Sequence, residues 1–200
     1  MKAVIQRVLK ASVTVSEELV GSIQQGLCVL IGISRDDTDK DMEFIAKKLL
    51  SLKLFDSTDG KAWSNSVVDS DFEVLCVSQF TLQARTSKGA KPDFHLAMFA
   101  DKSEDFYNKF LDLMKSKYKA DKIQNGKFGA NMQVHIQNDG PVTIIIDSNE
   151  SKKPEESPSK PKEKTKKLAK EKASPKVEVT AEEAISPKSD EPISNKEETA

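Results

Sequence analysis

The chain contains 200 residues, with 31 Lys and Arg, 32 Asp and Glu, and a hydrophobic fraction of 37%. A near-neutral chain with so few apolar residues is rather polar for a globular protein, which predicts that part of it does not fold. No apolar run reaches the roughly 18 residues that a membrane helix needs, and residues 1–15 alternate in polarity. We therefore expect neither a membrane span nor a secretory signal peptide.

Six strands are predicted from their β-branched content and from the alternation of apolar and polar side chains. They cover residues 2–8, 12–16, 27–33, 73–82, 132–137 and 142–147. The spacing of apolar residues predicts two helices between them. The first covers residues 39–51 behind Thr38, whose hydroxyl can accept the free amides of a first turn. The second follows Ser103.

The apolar positions of these helices are Met42, Ile45, Ala46 and Leu49 in the first, and Phe106, Phe110, Leu113 and Met114 in the second. A third, shorter helix is predicted over residues 92–99, because Pro92 is tolerated in a first helical turn. This order predicts an α+β domain with a largely antiparallel, barrel-like sheet and two to three helices. It predicts no βαβ repeat of the dinucleotide-binding kind.

The composition changes abruptly after Asp147. Residues 148–200 contain no Gly, Cys or aromatic residue, but they hold 6 of the 8 Pro. Such a segment cannot bury enough apolar surface to offset its ordering entropy, so we expect a folded domain over residues 1–147 and a disordered tail over residues 148–200.

The tail divides by charge into a basic and an acidic half. Residues 152–176 hold ten Lys and four Glu, whereas residues 177–200 hold two Lys, six Glu and one Asp. The halves can simply neutralise each other in solvent. Alternatively, the basic half adds salt-dependent affinity for tRNA or DNA, or directs the chain to the nucleus. Three Ser-Pro pairs, at Ser157, Ser174 and Ser186, are candidate phosphorylation sites that would weaken such binding.

Familiar catalytic motifs do not occur: the chain lacks a Gly-rich phosphate loop, HExxH, paired CxxC and GxSxG. Cys28 and Cys76 lie in apolar runs and are expected to be reduced, buried thiols of a cytoplasmic or nuclear protein. A nucleophile pair of Cys76 and His135 is conceivable, although a Cys inside a strand such as "VLCV" is more often inert. The remaining histidine is His95. No metal or cofactor is predicted.

Two segments stand out from this background. In "VSQFTL" (77–82), an apolar strand ends in Ser78, Gln79 and Thr81, which is also what a strand emerging at a sheet edge shows. In "NDGPVT" (138–143), Asn-Asp-Gly is a hairpin signal and Pro141 would confine the next strand to an edge or bulge. A Gly-Pro bond can also be cis. The pattern alone does not choose between these readings.

Together, in this order, the two segments resemble the signatures of the D-aminoacyl-tRNA deacylase (D-tyrosyl-tRNA deacylase) family, SQFTL and NxGPVT. The resemblance extends to "MKAVIQRV", "GLCVLIGI", "KPDF" and "GKFGANMQVHIQNDGPVT". It therefore covers nearly the whole predicted domain. Lys91 and Asp93 depart from the family, which usually has Arg and Ser at these positions of its tRNA-facing loop.

The resemblance implies a homodimeric hydrolase that cleaves the ester between a D-amino acid, or glycine, and the terminal ribose of tRNA. It implies that Gly140 and Pro141 form a cis pair that enters the partner's pocket and rejects L-amino acids, with Arg7 holding their orientation. The catalytic pocket would be lined by Ser78, Gln79, Phe80 and Thr81. The terminal adenosine would be received by Phe128, Gly129, Ala130 and Met132.

The activity that the resemblance implies does not require the side-chain nucleophile that the sequence lacks. An aminoacyl ester is already activated, and water can attack it when main-chain amides stabilise the developing oxyanion. We therefore expect Thr81 to position the substrate, with a nucleophilic role as the weaker alternative. A second function comes from the tail, because animal members of the family with such tails have been linked to DNA replication origins. The expected location is the cytoplasm, with the nucleus as an additional one.

Overall fold

The computed structural model describes residues 1–150, which lie in one compact unit. The predictions for residues 151–200, namely disorder, the basic and acidic halves and the three Ser-Pro sites, lie outside the described residues. Ser148, which the sequence analysis assigned to the tail, is buried. Its hydroxyl accepts a hydrogen bond from the amino group of Met1 at 2.6 Å. The folded unit therefore extends beyond the predicted boundary after Asp147.

Six strands and two α-helices make up the described part of the chain. The strands are β1 (Lys2–Val15), β2 (Glu18–Ile23), β3 (Gly26–Gly32), β4 (Glu73–Ser78), β5 (Ile123–Asn125) and β6 (Gln133–Asp147). The helices are α1 (Asp39–Ser51) and α2 (Ala100–Lys117). Short 3-10 turns cover Phe80–Gln83 and Ala120–Lys122.

Strand β1 organises the sheet because it pairs along both of its edges. On one edge, residues 2–8 pair with β3 and residues 11–15 pair with β2, both antiparallel. On the other edge, β6 runs antiparallel along almost the full length of β1. Its apolar side chains alternate into the core, as the period of two predicts. The sheet continues from β3 through β4 to β5 by parallel pairing.

The two helices make the crossovers that parallel strands require. Helix α1 connects β3 to β4 and helix α2 connects β4 to β5, and both pack on the same apolar cluster as these strands. Thr38 is the N-cap of α1 and forms a capping box with Asp41, whose carboxylate accepts the Thr38 amide at 2.9 Å. The predicted α+β class with a barrel-like sheet is confirmed, and three of the five strand pairings are antiparallel. The two consecutive parallel β-α-β connections were not predicted.

Several predicted boundaries were wrong, and tertiary pairing explains each difference. The strands predicted over 2–8 and 12–16 form one strand, as do those over 132–137 and 142–147, because β1 and β6 pair with each other on both sides of an irregularity at residues 139–142. Strand β4 ends at Ser78, and a 3-10 turn over Phe80–Gln83 follows after Gln79. Strands β2 and β5 were missed. Strand β2 has little apolar periodicity and β5 has only three residues.

The helix predictions also need two corrections. Helix α2 begins at Ala100 behind Phe99, one turn before the predicted start, and Ser103 is buried inside it. Residues 92–99 do not form a helix, because Asp93 pairs with Arg85 and Ala97 pairs with Ser34 in isolated bridges. No helix of the described residues is long and apolar enough to cross a membrane.

Candidate functional site

A cavity of about 530 Å³ opens where the parallel strands β3 and β4 end. This edge is where parallel sheets commonly bind ligands, because the chain leaves the sheet there and its loops diverge. The volume suits a nucleoside-sized ligand. The walls come from the ends of these strands, from the start of α2 and from the segment before β6. They comprise Ile31, Ile33, Val77–Phe80, Ala97, Met98, Ala100, Ser103, Phe128–Met132 and Val134.

The end of β4 gives this cavity its polar edge. Ser78 is the last residue of the strand, and the Gln79 amide continues the sheet pattern by donating to the Ile31 carbonyl at 2.7 Å. The chain then turns, and the Gln79 side-chain amide donates to the Thr81 hydroxyl at 2.5 Å. The first amides of a helical turn have no partner within the turn, so those of Phe80 and Thr81 are suited to an oxygen of a bound ligand.

The opposite wall is the turn that leads into β6. Phe128 lies against Tyr107 of α2 with ring centroids 5.7 Å apart, which fixes this wall to the core. Gly129 has φ +70, a left-handed conformation that favours glycine, and a Cβ added there would meet no atom within 4 Å. The turn therefore presents its backbone, together with Ala130 and Met132, to the cavity.

Exposed aromatic side chains lie on or next in sequence to the cavity wall. Phe80, which lines the cavity, is 58% exposed and contacts Phe94 edge to face at 5.1 Å. Phe99, between the lining residues Met98 and Ala100, is 76% exposed. The Phe94 loop is braced by Asp93, whose backbone pairs with Arg85 and whose carboxylate accepts the His95 amide at 2.8 Å. This amide, with the His95 ring, holds the pKa of the Asp93 carboxyl below its ordinary value. The departure of Asp93 from the family pattern thus has a local structural role.

The Gly-Pro segment lies elsewhere in the chain, as a bulge of β6 against β1. Gln6 pairs with Thr143 and Val8 pairs with Asn138, so four residues of β6, 139–142, oppose the single residue Arg7. Such a bulge pushes the longer strand out of the sheet. Gly140 and Pro141 are exposed on it, and their peptide bond is cis, as the resemblance implied.

Arg7 holds this bulge at its base. The Arg7 Nε atom lies 3.0 Å from the Asp139 carboxylate and donates to the Asp139 carbonyl at 3.3 Å. The Nη1 atom donates to the Leu54 carbonyl at 2.8 Å. Arg7 is only 14% exposed, so solvent weakens these contacts less than at a surface pair. The predicted orienting role of Arg7 thus has a structural basis.

The predicted site residues therefore fall into two groups. Seven of them line the cavity: Ser78, Gln79, Phe80, Phe128, Gly129, Ala130 and Met132. Thr81 is attached to that wall through Gln79. Gly140, Pro141 and Arg7 form the second group, which does not line the cavity of the same chain.

The structure argues against Cys76 and His135 as a nucleophile pair. Cys76 is fully buried in the main core, and burial raises the pKa of its thiol to about 12. Burial likewise raises the pKa of Cys28 to about 11. A thiol with such a pKa is neutral at physiological pH and is a poor nucleophile. His135 is exposed on β6.

Among residues 1–150, no cluster of three or more His, Cys, Asp or Glu side chains could hold a metal ion. The expectation of a site without metal or cofactor stays a prediction.

Comparison with known proteins shows which family this chain belongs to. Residues 4–147 match the family described as D-Tyr-tRNA(Tyr) deacylase. The chain belongs to this family. The family assignment made from the sequence, and with it the expectation of an enzyme, is confirmed.

Individual relatives agree with this membership. The D-aminoacyl-tRNA deacylase 1 of Mus musculus is 54% identical over 162 residues, which are 81% of this chain and 76% of that protein. The D-aminoacyl-tRNA deacylase of Drosophila melanogaster is 54% identical over 160 residues, or 80% of this chain and 100% of that protein. A solved structure named c-Myc DNA Unwinding Element Binding Protein is 56% identical, with a TM-score of 0.71, over 74% of this chain and 98% of that one.

Sequence reasoning missed several residues of both groups. Met98 and Ile33 line the cavity, but they look like ordinary core residues in the sequence. Leu54 contributes only its carbonyl to Arg7, which no side-chain pattern can reveal. Asp139 was detectable, because an acidic residue beside Gly-Pro is a natural partner for Arg7.

A thiol test separates a structural from a catalytic Cys76. We expect Cys76→Ala and His135→Ala to hydrolyse D-tyrosyl-tRNA within about twofold of the wild-type rate, because neither side chain acts as a nucleophile. We also expect both thiols of the native protein to resist a disulfide reagent at pH 8 and to react after denaturation. A thousandfold loss in Cys76→Ala with an intact fold, or rapid labelling of Cys76 in the native protein, would contradict this assignment.

Proposed function

We propose that this chain hydrolyses the ester bond of D-aminoacyl-tRNA and releases the D-amino acid and free tRNA. The observation that carries the proposal is the cavity at the ends of β3 and β4, which has Ser78 and Gln79 at its polar edge in a member of this family. Curated relatives of similar length carry the name D-aminoacyl-tRNA deacylase. The terminal adenosine of the tRNA would occupy the side formed by Phe128, Gly129, Ala130 and Met132.

The chemistry needs no side-chain nucleophile. The ester carbonyl is activated, and a water molecule attacks it while main-chain amides at the end of β4 stabilise the oxyanion, worth on the order of 3 kcal/mol for one donor. The neighbouring ribose hydroxyl supplies a further polar group. Thr81 is held by Gln79 and acts in this scheme as a positioning hydroxyl.

Selection against L-amino acids is assigned to the bulge at Gly140 and Pro141. Its carbonyl groups would be aimed at the α-carbon of the substrate, leaving room for a hydrogen atom but not for the side chain of an L-amino acid. Glycine has no side chain and passes this filter, so glycyl-tRNA is a second substrate. Arg7 keeps the bulge in place through Asp139.

The two groups of site residues combine when two copies associate. Gly140 and Pro141 protrude from β6, whereas the cavity of the same chain is lined by other residues. A homodimer in which each bulge enters the cavity of the partner brings the selector to the ester. The exposed Phe80 on the cavity wall, with the exposed Phe99 beside the lining residues Met98 and Ala100, would provide apolar surface for this contact.

A glycine substitution tests the selector. A Cβ added at Gly140, where φ is +114, would lie 2.9 Å from Val142 Cγ2 and 3.2 Å from Arg7 Nη2. The bulge must therefore shift in Gly140→Ala. Because an error of about 1 Å in position can cost about a hundredfold in rate, we expect kcat/KM on D-tyrosyl-tRNA to fall by tenfold or more, or L-tyrosyl-tRNA to be accepted.

Gly60→Ala is the matched control, because Gly60 also has a positive φ, +81, and a Cβ there meets no atom within 4 Å. It should retain activity and discrimination. Two results would count against the proposal: a wild-type chain that hydrolyses D- and L-tyrosyl-tRNA equally, or a Gly140→Ala chain that keeps both its rate and its rejection of the L-substrate.

A second function, DNA binding, is favoured by one observation outside the cavity. A 56% identical protein is named for binding a DNA unwinding element. In this chain the ten Lys and four Glu of residues 152–176 supply a basic segment that could contact phosphates. We propose that this segment adds affinity for nucleic acid, that phosphorylation at Ser157, Ser174 or Ser186 weakens it, and that the protein works in the cytoplasm with a nuclear fraction.

The salt dependence of binding tests the role of the basic segment. Each neutralised phosphate of duplex DNA contributes about −0.9 to the slope of log K against log salt. We expect the full chain to bind duplex DNA with a steep slope, and a chain ending at Glu150 to lose most of that slope while it keeps its deacylase activity. An equal slope for both chains would refute this role of the segment.

A further inference from the structure

We infer that Trp63 is a positioning residue for the selector, because its indole ring lies over Arg7, whose guanidinium holds the Gly140–Pro141 bulge. The inference rests on the proposed function of that bulge. Trp63 lies in the connection between α1 and β4, far in sequence from both signature segments.

The guanidinium of Arg7 is held within its own plane. Its N–H groups are coplanar, so the contacts of Nε with Asp139 and of Nη1 with the Leu54 carbonyl restrain movement in that plane. Neither contact resists a displacement out of the plane. Because Asp139 belongs to the bulge, such a displacement would move the bulge as well.

Trp63 provides a contact of a different kind to the guanidinium. Arg7 Cζ lies over the indole ring, 5.9 Å from its centroid and within the range of a cation–π interaction, and Trp is the most favourable aromatic partner for a cation. The ring therefore limits the movement of Arg7 on one side. Together, Asp139, Leu54 and Trp63 restrain the guanidinium in three directions.

The ring itself is anchored to the core through a short path. Trp63 immediately precedes Ser64 and Asn65, whose amides both donate to the Phe55 carbonyl at 2.9 Å. Phe55 is buried and contacts Phe72 edge to face at 5.0 Å. The residue before it, Leu54, supplies the carbonyl for Arg7. One buried segment thus fixes both the acceptor and the ring.

The exposure and the backbone conformation of Trp63 argue against a purely structural role for this residue. Trp63 is 56% exposed, so it contributes little to the core, and its φ of 57 lies in the left-handed region that non-glycine residues rarely adopt. Unusual backbone conformations of this kind cluster at functional sites, where the surrounding structure holds them. The ring lies against Arg7, the residue that holds the bulge.

The test compares D- and L-tyrosyl-tRNA hydrolysis by Trp63→Ala and Trp63→Phe in the full chain. Loss of an exposed cation–π contact should lower a rate that depends on the positioned group by about two- to fivefold. We expect Trp63→Ala to lower the ratio of kcat/KM for the D- over the L-substrate by that factor, through kcat with KM unchanged. Trp63→Phe should restore most of the ratio. Lys61→Ala, an exposed change in the same loop, should leave the ratio unaltered.

A double-mutant cycle shows whether Trp63 acts through Arg7. In an Arg7→Met background the cation is absent, so Trp63→Ala should have no further effect on the ratio. Additive effects in the cycle, an unchanged ratio in Trp63→Ala, or failure of Trp63→Phe to restore it would overturn the inference. If instead the wild-type chain does not discriminate between the two substrates, the proposed function fails, and that result is distinct from those three.

Discussion

The site depends on one contact, the pairing of Arg7 on β1 with Asp139 on β6. Strand β6 runs along β1 on both sides of this point, so the sheet fixes the two ends of the bulge. Between those ends, four residues of β6, 139–142, lie opposite the single residue Arg7 of β1. The regular hydrogen-bond pattern of the sheet therefore provides no partners for these four residues. The Arg7 guanidinium supplies the contact instead, at 3.0 Å from the Asp139 carboxylate. The outward position of Gly140 and Pro141 follows from this geometry.

The same fold keeps the Gly-Pro bulge out of the cavity wall. The cavity needs the diverging ends of β3 and β4, which parallel pairing creates, and β6 contributes only Val134 to its lining. The bulge needs two long antiparallel strands, which only β1 and β6 provide within residues 1–150. Gly140 and Pro141 do not line the cavity of their own chain. Under the proposed function, the bulge of a second copy supplies the selector.

Much of this arrangement could be predicted from short local patterns. Polar residues after "VLCV" indicated a change from the apolar strand pattern, although the strand was predicted to continue to residue 82, and Gly-Pro indicated an irregularity, because both signals depend on neighbouring residues alone. The continuity of β6 across Gly140 could not be predicted, since it is imposed by pairing with β1. The contacts of Arg7 with Leu54 and Trp63 could not be predicted either, because one uses a backbone carbonyl and the other joins strand β1 to a loop distant in sequence. Strand β5, with three residues, carries too little pattern to detect.

Complementation between two inactive variants tests most directly whether the site is shared between copies. Gly140→Ala damages the selector, and Gln79→Ala damages the cavity wall, so each chain alone should hydrolyse D-tyrosyl-tRNA slowly. In a randomly mixed dimer with a symmetric interface, one site combines an intact cavity with an intact selector, and the mixture should recover about a quarter of the wild-type activity. A mixture that shows only the average of the two variants would contradict a shared site.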